Sequence, residues 1–295
     1  MKQRERKEQS RGRDGFDAYY RALYGDRWQA IKAAFSEEPR YVTYTVCGGK
    51  RVDAVTETAG TARAAGCVPY YLDAGSVRAA ASLPLKGARR ILDLCAAPGG
   101  KTLVLASCME KEATLLSNER SNDRRVRLSR VCDESLPPEI RARVTVSGND
   151  GALMCRHQSE CFDRILLDAP CSSERHVLAD EKYLSQWSPA RIKTLALEQW
   201  ALLSSAWRML EPNGYLLYST CALAKEENDG VIVRLFKKFA DAEVVPSPTV
   251  TDVSPFCDEP LPEPEQTELG SIVLPDVQQG AGPLFFCLLH KKTLH

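Results

Sequence analysis

The sequence predicts an α/β fold in which helices cover both faces of a doubly wound, mostly parallel sheet. Residues 91–94 include an apolar run that leads into a proline-glycine-glycine turn at residues 98–100, and an apolar helical pattern begins at Leu103. Further apolar runs alternate with helical patterns through the rest of the chain. Apolar strands of this kind are typical of parallel sheets that are buried on both faces. Their alternation with helices favours the doubly wound arrangement.

The N-terminal part is predicted to be mainly helical. Residues 14–36 place aromatic and aliphatic side chains at approximately helical spacing, with a break near Gly25. Residues 40–68 contain four glycines without clear periodicity, which indicates loops and short strands. Asp73 and Ser76 stand just before the next short helical pattern, and either side chain is suited to cap that helix.

The central and C-terminal parts supply the strands of the predicted sheet. These strands are expected at residues 91–94, 113–116, 144–146, 162–168, 214–220 and 284–289. A long amphipathic helix is predicted over 188–210, where a Ser-Pro pair marks the start, and a second helix over 225–239. Residues 246–275 are rich in proline and acidic side chains and are therefore predicted to be loop.

The overall charge is balanced, since the 295 residues include 39 basic and 39 acidic side chains. The distribution is uneven, however: residues 1–13 are mostly basic, whereas residues 252–276 contain acidic side chains and no Lys or Arg. The first segment is either an arm that contacts nucleic acid or a solvated, disordered tail. No signal-peptide core or membrane-length apolar run occurs, so we expect a soluble cytoplasmic protein.

Eleven cysteines in such a chain are more consistent with reduced thiols than with a disulfide framework. Cys155, His157 and Cys161 lie close together in sequence but lack a second pair of ligands at zinc-site spacing. No metal site is therefore expected.

The turn at residues 98–100 is the feature that most restricts the function. A phosphate-binding Walker loop needs a glycine at the position of Cys95, and the Gly-x-Gly-x-x-Gly dinucleotide fingerprint does not occur here. Two interpretations remain. The turn either approaches a cofactor without a pyrophosphate, such as S-adenosylmethionine, or is an ordinary strand-turn-helix corner.

Acidic side chains follow the next three predicted strands, where ligands of open α/β sheets bind. Glu119 follows the second strand and is placed to accept hydrogen bonds from ribose hydroxyls, although it is also interpretable as a surface carboxylate. Asp150 follows the third strand within an Asn-Asp-Gly sequence that also suits a turn. Asp168 ends the fourth strand.

Two cysteines lie directly after strands, and a thiol is a potential nucleophile. Cys171 follows the sequence Asp-Ala-Pro, and Cys221 follows Ser-Thr at the end of the fifth strand. A buried cysteine that serves as a small hydrophobic side chain is the ordinary alternative.

The sequence from Asp93 to Thr102 resembles the cofactor signature of the Sun-type RNA cytosine-5 methyltransferases, the group with the bacterial names Fmu and RsmB and the eukaryotic name NSUN. The segments ending in Cys171 and Cys221 resemble the two cysteine motifs of the same family. The aromatic residues of the first helix resemble its mitochondrial rRNA and tRNA branch. The resemblance spans about residues 14–295, with Glu119 in place of the usual Asp and Ala222 in place of the usual Ser.

This resemblance implies a Rossmann-like, S-adenosylmethionine-dependent methyltransferase fold with a seven-stranded sheet and a small helical N-terminal extension. It divides the chain into a basic arm at 1–13, an extension at 14–85 and a catalytic domain at 86–295. The implied donor site consists of Cys95, Ala96, Ala97, Pro98, Gly99, Gly100, Lys101, Glu119, Arg124, Asp150 and Asp168.

The resemblance also implies a division of catalytic roles. Cys221 is the attacking thiol, Asp168 supports the base at N3, Cys171 assists release, and Lys101 orients Asp168 or the base. The implied partner is RNA, ribosomal RNA first and transfer RNA second, bound by a monomer. Arg175 and the next residue are candidate RNA contacts, unless Arg175 only pairs with its neighbour Glu174 at the surface.

Two other functions remain open at this point. A DNA cytosine-5 methyltransferase would attack through Cys171, but the second cysteine at position 221 and the Pro-Gly-Gly-Lys-Thr turn do not favour that class. An RNA-binding assembly factor without catalysis would retain the fold. The presence of Asp168 and both cysteines does not favour it.

Overall fold

The computed structural model describes residues 11–46, 68–246, 250–257 and 259–293. The helices α1 to α10 cover, in chain order, Gly12–Tyr24, Trp28–Ala34, Ala74–Ala81, Gly100–Cys108, Asn122–Ser135, Pro138–Arg141, Glu174–Ala179, Glu181–Gln186, Pro189–Met209 and Asp229–Lys238. The strands β1 to β11 cover Tyr41–Tyr44, Tyr70–Asp73, Arg90–Asp93, Thr114–Asn118, Val144–Ser147, Phe162–Asp168, Leu210–Thr220, Ala242–Val244, Glu265–Gln266, Ser271–Val273 and Leu284–Lys291.

The main sheet has the strand order β5-β4-β3-β6-β7-β11-β10-β9, and β8 pairs with the far end of β11. The first five strands in this order, β5, β4, β3, β6 and β7, are parallel to one another. β11 joins β7 in antiparallel orientation. The chain runs outward from β3 to β5 and then returns to β6, so the strand order reverses between β3 and β6. In open α/β sheets the crevice at such a reversal, beside the carboxyl ends of the strands, is where ligands bind.

Apolar side chains fill the space on both faces of this sheet, as the predicted doubly wound α/β fold requires. One cluster packs α3, α4 and α5 against the sheet and includes Leu103 and Leu128. The other packs α1, α2, α9 and α10 and includes Trp28, Leu203 and Ile232. The mostly parallel sheet with helices on both faces confirms the predicted fold class.

The N-terminal helix is interrupted where the break was predicted. Gly25 begins a short 3₁₀ segment, Gly25–Arg27, between α1 and α2, and its φ of 59° is a conformation that glycine adopts easily. The cap of α3 is also confirmed, because Asp73 Oδ1 accepts a hydrogen bond of 3.2 Å from the backbone N–H of Ser76. Most of the predicted loop region 40–68 and nearly all of the basic arm lie outside the described residues.

Three predictions about the sheet and its flanking segments are wrong in detail. The sheet contains nine strands in the described ranges rather than seven. The predicted loop 246–275 holds two of its short edge strands, β9 and β10, because strands of two or three residues are too short to show periodicity. Helix α10 begins at Asp229 instead of residue 225, since residues 225–228 form turns.

Candidate active site

The predicted catalytic residues lie where the parallel strands have their carboxyl ends, along one edge of the sheet. β3 ends at Asp93 and β6 ends at Asp168, on either side of the reversal in strand order. Cys171 follows β6 by three residues, and Cys221 follows β7 directly. Because parallel strands present their carboxyl ends at the same edge, these four side chains belong to one region of the molecule.

A cavity of about 260 Å³ opens at this edge. It is lined by Tyr41, Tyr70, Tyr71, Leu72, Asp73, Ser76, Asp93, Cys95, Ala96, Ala97, Pro98, Gly100, Lys101 and Asp168. Most of the predicted donor-site residues therefore line the cavity. The predicted residues Glu119, Arg124 and Asp150 are not among the lining residues and form a separate group beside the glycine turn.

The glycine turn lets helix α4 start very close to strand β2. A Cβ atom on Gly100 would stand 2.5 Å from Leu72 Cδ1, and Gly99 has a φ of 122°, which side-chain-bearing residues rarely adopt. Gly99 is thus favoured by its backbone conformation, and Gly100 allows the close approach of α4 to Leu72. The N-terminal turn of α4, whose first N–H groups have no intrahelical partners, is thereby brought to the cavity.

Lys101 and Asp168 form an ion pair inside the cavity. Lys101 Nζ lies 2.7 Å from Asp168 Oδ2 and 3.2 Å from Ser76 Oγ, while Ser219 Oγ donates to Asp168 Oδ1 at 2.8 Å. Burial would lower the pKa of Lys101, but the charge and hydrogen bond of Asp168, together with the nearby Cys221 and Asp73, outweigh burial and the pKa is raised. Lys101 is therefore a positively charged ammonium group. The Cys221 side chain lies close enough to Lys101 to interact with it electrostatically.

Asp93 is a site residue that the sequence did not single out as functional. It is fully buried, and its Oδ2 accepts a hydrogen bond of 2.7 Å from Thr102. Its Oδ1 has no hydrogen-bond partner among the described residues, although it borders the cavity. Burial raises the pKa of Asp93 from 3.8 to about 7. A buried carboxylate oxygen without a partner is costly, which makes Asp93 a candidate ligand-binding group.

Cys171 and Cys221 are free thiols whose side chains contact each other. The hydrogen bond between the two thiols, together with burial and the nearby carboxylates of Glu174 and Glu227, raises the pKa of Cys171 well above its ordinary value. Cys171 is therefore held as a neutral thiol at physiological pH. Cys221 is the thiol that lies near the Lys101 ammonium.

Glu174 and Glu227 are two further residues that sequence reasoning missed. Glu174 is fully buried, so the predicted alternative of a surface pair with Arg175 is wrong. Glu227 is also buried, and its Oε2 accepts hydrogen bonds from the backbone N–H of Ser172 at 2.9 Å and from Gln199 at 2.8 Å. Burial raises the pKa of Glu227 to about 7. An acidic residue three or six positions after a cysteine carries no sequence signal for burial.

Arg175 supports the fold on the opposite side of this loop. Its guanidinium donates to the carbonyl oxygens of Gly280 and Gly282 at 2.8 and 3.0 Å and stacks over Phe35 at 5.1 Å. His176 is exposed and lies against the ring of Tyr183. Of the two predicted RNA contacts, Arg175 is thus largely engaged within the protein, whereas His176 is accessible.

The group beside the turn is organised by Glu119 and Arg124. Glu119 is 5% exposed, and its Oε1 accepts a hydrogen bond of 2.8 Å from the backbone N–H of Ser121. Arg124 lies 3.4 Å from Glu119 Oε2 and donates to the carbonyl oxygen of Ala97 at 2.7 Å. Asp150 is more open and lies 3.4 Å from an exposed arginine side chain. Glu119 therefore connects to the cavity wall through Arg124.

The fold and this site together define a Rossmann-like methyltransferase. A solved methyltransferase homolog protein from Pyrococcus horikoshii shares the fold with a TM-score of 0.68 and 24% sequence identity, covering 92% of this chain and 93% of that chain.

The chain belongs to the family described as 16S rRNA methyltransferase RsmB/F, whose model matches residues 80–268. It is 34% identical over 233 residues to the 5-cytosine rRNA methyltransferase NSUN4 of Xenopus laevis, covering 76% of this chain and 57% of the relative. It is also 34% identical over 225 residues to the mitochondrial tRNA (cytosine(34)-C(5))-methyltransferase of Mus musculus, covering 75% and 63%. The chain thus spans about three fifths of the length of these curated relatives.

Proposed function

We propose that this protein is an S-adenosylmethionine-dependent RNA (cytosine-5)-methyltransferase that acts on ribosomal RNA through a covalent bond between a cysteine and C6 of the target base. The observation that carries the proposal is the contact between two free thiols, Cys171 and Cys221, near the Lys101–Asp168 ion pair. Membership of the RsmB/F family supports RNA as the substrate. Transfer RNA is the second candidate, because one similar relative is named for that substrate.

The cavity has the chemistry that a cationic methyl donor requires. Asp93 offers a buried carboxylate oxygen without a partner, and Asp73 and Asp168 add further acidic groups to the lining. The first N–H groups of α4 suit the donor's carboxylate, since helix N-termini favour anions. Glu119 is the candidate for the ribose hydroxyls. When bound, S-adenosylmethionine supplies an electrophilic methyl group.

The chain's own residues then account for activation of the base. Cytosine C5 becomes nucleophilic when a thiolate adds to C6, and negative charge develops at N3 of the ring as the S–C6 bond forms. Cys221 is the proposed nucleophile, because Cys171 is held as a neutral thiol and Cys221 lies near the ammonium of Lys101. Asp168 accepts hydrogen bonds from Lys101 and Ser219 and so fixes the Lys101 ammonium, which stabilises the negative charge at N3 by donating a hydrogen bond to it.

Release of the product requires loss of the C5 proton to a base and cleavage of the S–C6 bond, with Cys221 leaving as the thiolate. Cys171 contacts Cys221 and is kept as a neutral thiol by its surroundings. It is therefore the group placed to assist release without competing for attack on C6. This division of roles needs two cysteines with different charge environments, as the site provides.

The target nucleotide must leave its stack to reach this site. Tyr41 and Tyr71 are 53% and 68% exposed, and both line the cavity. Their positions in the antiparallel β1–β2 pair place them on the same, outward face. Single-stranded RNA bases commonly stack on aromatic side chains of this kind. The two rings thus offer a surface for an unstacked base.

The test measures methyl transfer and covalent-complex formation by the wild-type protein and three cysteine variants. The substrate is RNA from cells that lack the protein. The wild-type protein is expected to transfer tritium from labelled S-adenosylmethionine to this RNA. Cys221→Ala should transfer none and form no covalent complex, whereas Cys171→Ala should accumulate a protein–RNA complex that survives boiling in detergent. Cys161→Ala is the matched control, because Cys161 precedes β6 at the opposite edge of the sheet.

Other outcomes discriminate between the alternatives. A trapped complex with Cys221→Ala but not with Cys171→Ala would reverse the two assignments and favour the mechanism of DNA cytosine-5 methyltransferases. Absence of any transfer by the wild-type protein to RNA or DNA would favour an assembly factor. Bisulfite sequencing of ribosomal and transfer RNA from a deletion strain identifies the modified cytosine.

A further inference from the structure

Helix α1 presents two tyrosine hydroxyls to the loop that carries Cys221. Tyr20 and Tyr24 are four residues apart and therefore lie on the same face of the helix. Tyr24 Oη donates a hydrogen bond of 3.0 Å to the backbone carbonyl of Leu223, two residues after the cysteine. Tyr20 Oη donates to Glu174 Oε1. The first helix of the chain thus reaches the predicted nucleophile loop directly.

Glu174 carries the second contact from α1 to both cysteine loops. Its Oε2 accepts a hydrogen bond of 3.0 Å from the backbone N–H of Leu223. Its Oε1 accepts from Ser172 Oγ, the residue after Cys171, as well as from Tyr20. The N–H and C=O of Leu223 are therefore both held, and one carboxylate ties the Cys171 loop to the Cys221 loop.

The aromatic surroundings fix these hydroxyls in place. Tyr20 is fully buried, its ring stacks on Trp28 at 5.1 Å, and it lies 4.7 Å from Phe16. Loss of the Tyr24 hydroxyl would remove the side-chain donor to the buried Leu223 carbonyl, and loss of the Tyr20 hydroxyl would leave Glu174 Oε1 with Ser172 Oγ as its side-chain donor, although each ring would still pack. A buried acceptor that loses its donor tends to move toward another, and small displacements of reacting groups are costly to catalysis.

We propose that Tyr20 and Tyr24 are positioning residues and that α1 is a buttress for the two-cysteine site. The N-terminal extension then positions the two cysteine loops of the active site and also contributes to the hydrophobic core. The inference rests on the proposed two-cysteine function. It goes beyond that function, because neither tyrosine contacts the donor cavity or belongs to a cysteine motif.

The experiment compares Tyr20→Phe, Tyr24→Phe and the double variant with Tyr44→Phe. Tyr44 is also a buried tyrosine, but its hydroxyl forms a hydrogen bond of 2.7 Å with Ser107 Oγ, outside both cysteine loops. The double variant is expected to lose about tenfold or more in kcat. KM for RNA and the affinity for S-adenosylhomocysteine should stay unchanged, because the cavity is intact. Tyr44→Phe should match the wild type.

A second readout works without RNA and separates this inference from the proposed function. The rate at which iodoacetamide modifies Cys221, measured by mass spectrometry against Cys161 in the same sample, should change severalfold in the double variant. A wild-type protein that transfers no methyl group would refute the proposed function, yet this rate would still test the buttress.

The inference is overturned if the folded double variant keeps both the wild-type kcat and the wild-type Cys221 alkylation rate. A lower melting temperature with an unchanged kcat of the folded fraction would likewise assign the two hydroxyls to stability alone. Should the double variant fail to fold, the same measurements on Tyr24→Phe test the inference. Tyr24 is only partly buried, and this change removes its single hydrogen bond to the Leu223 carbonyl.

Discussion

The half-satisfied carboxylate of Asp93 leads to an unusual expectation: Asp93→Asn should stabilise the protein while it damages donor binding. Asp93 is fully buried, only its Oδ2 receives a hydrogen bond from the part of the chain that the structure describes, and burial raises its pKa from 3.8 to about 7. Asparagine has nearly the same shape, and its carbonyl oxygen still accepts from Thr102. It carries no charge into the interior, so it avoids the penalty that the ionised carboxylate imposes.

The magnitude follows from the difference in pKa between the folded and unfolded chain. Between pH 4 and 7 the folded protein binds a proton at Asp93 that the unfolded chain does not, so this carboxyl lowers the free energy of unfolding progressively as pH rises. A shift of about three units at about 1.4 kcal/mol each gives an upper bound of about 4 kcal/mol at pH 8. The same arithmetic gives about 2 kcal/mol at pH 5 and nothing below pH 4.

Urea unfolding of the wild-type and Asp93→Asn proteins at pH 5 and pH 8 measures this difference. The variant should gain stability at both pH values and more at pH 8, and its affinity for S-adenosylhomocysteine at pH 8 should fall about tenfold or more. Asp150→Asn is the control for stability, because Asp150 is not fully buried. A variant that is less stable than the wild type at pH 8, or that binds the donor product normally, would refute the role assigned to Asp93.

Two further predictions concern Glu119, beside the cavity, and Tyr71, which lines it. Glu119→Ala should weaken donor binding by about 1–3 kcal/mol, because the ribose hydroxyls lose a charged acceptor; calorimetry that shows unchanged affinity in the folded variant would remove Glu119 from the site. Tyr71→Ala should weaken RNA binding about 5- to 100-fold, the range expected for loss of one stacked base. Tyr71→Phe should keep the affinity, and Leu197→Ala, which changes an exposed side chain of α9 outside the cavity, provides the baseline in the same gel-shift assay.

The fold was largely predictable, because its information is carried by local patterns. The strands predicted to end at residues 168 and 220 do so, the strand predicted over 91–94 ends one residue earlier at Asp93, and the proline-glycine-glycine turn marked the start of α4. Parallel strands bring their carboxyl ends together whatever loops connect them, so strand-end residues such as Asp168 and Cys221 could be grouped from the sequence. The short edge strands β9 and β10 could not be predicted, since two or three residues show no period.

The supporting residues were not predictable for a different physical reason. Burial of Glu174 results from contacts with Tyr20, Ser172 and Leu223, which are far apart in the chain or on different loops. Acidic residues are rarely fully buried, so a surface position is the ordinary expectation from sequence. Asp93 was visible within a motif, yet only the three-dimensional surroundings show that one of its oxygens lacks a partner.

The two cysteines are chemically alike in the sequence, and the folded surroundings make them different. Cys171 contacts Cys221, is partly buried, and lies near Glu174 and Glu227, and these surroundings raise the pKa of its thiol. Lys101, by contrast, remains an ammonium close to Cys221. Because only a thiolate reacts with an alkylating agent, we expect iodoacetamide to modify Cys221 well before Cys171 at pH 8.

Substitution of a glutamate near Cys171 provides the test of that difference. Glu227→Gln removes one of the carboxylates whose negative charge helps to raise the pKa of the Cys171 thiol, so it should speed alkylation of Cys171 and leave Cys161, at the opposite edge of the sheet, unchanged. Mass spectrometry of timed samples from pH 6 to pH 10 gives the rate for each thiol separately. Equal rates for Cys171 and Cys221 over this range would show that the surrounding charges do not distinguish them. The choice of nucleophile would then have to come from the position of the bound base.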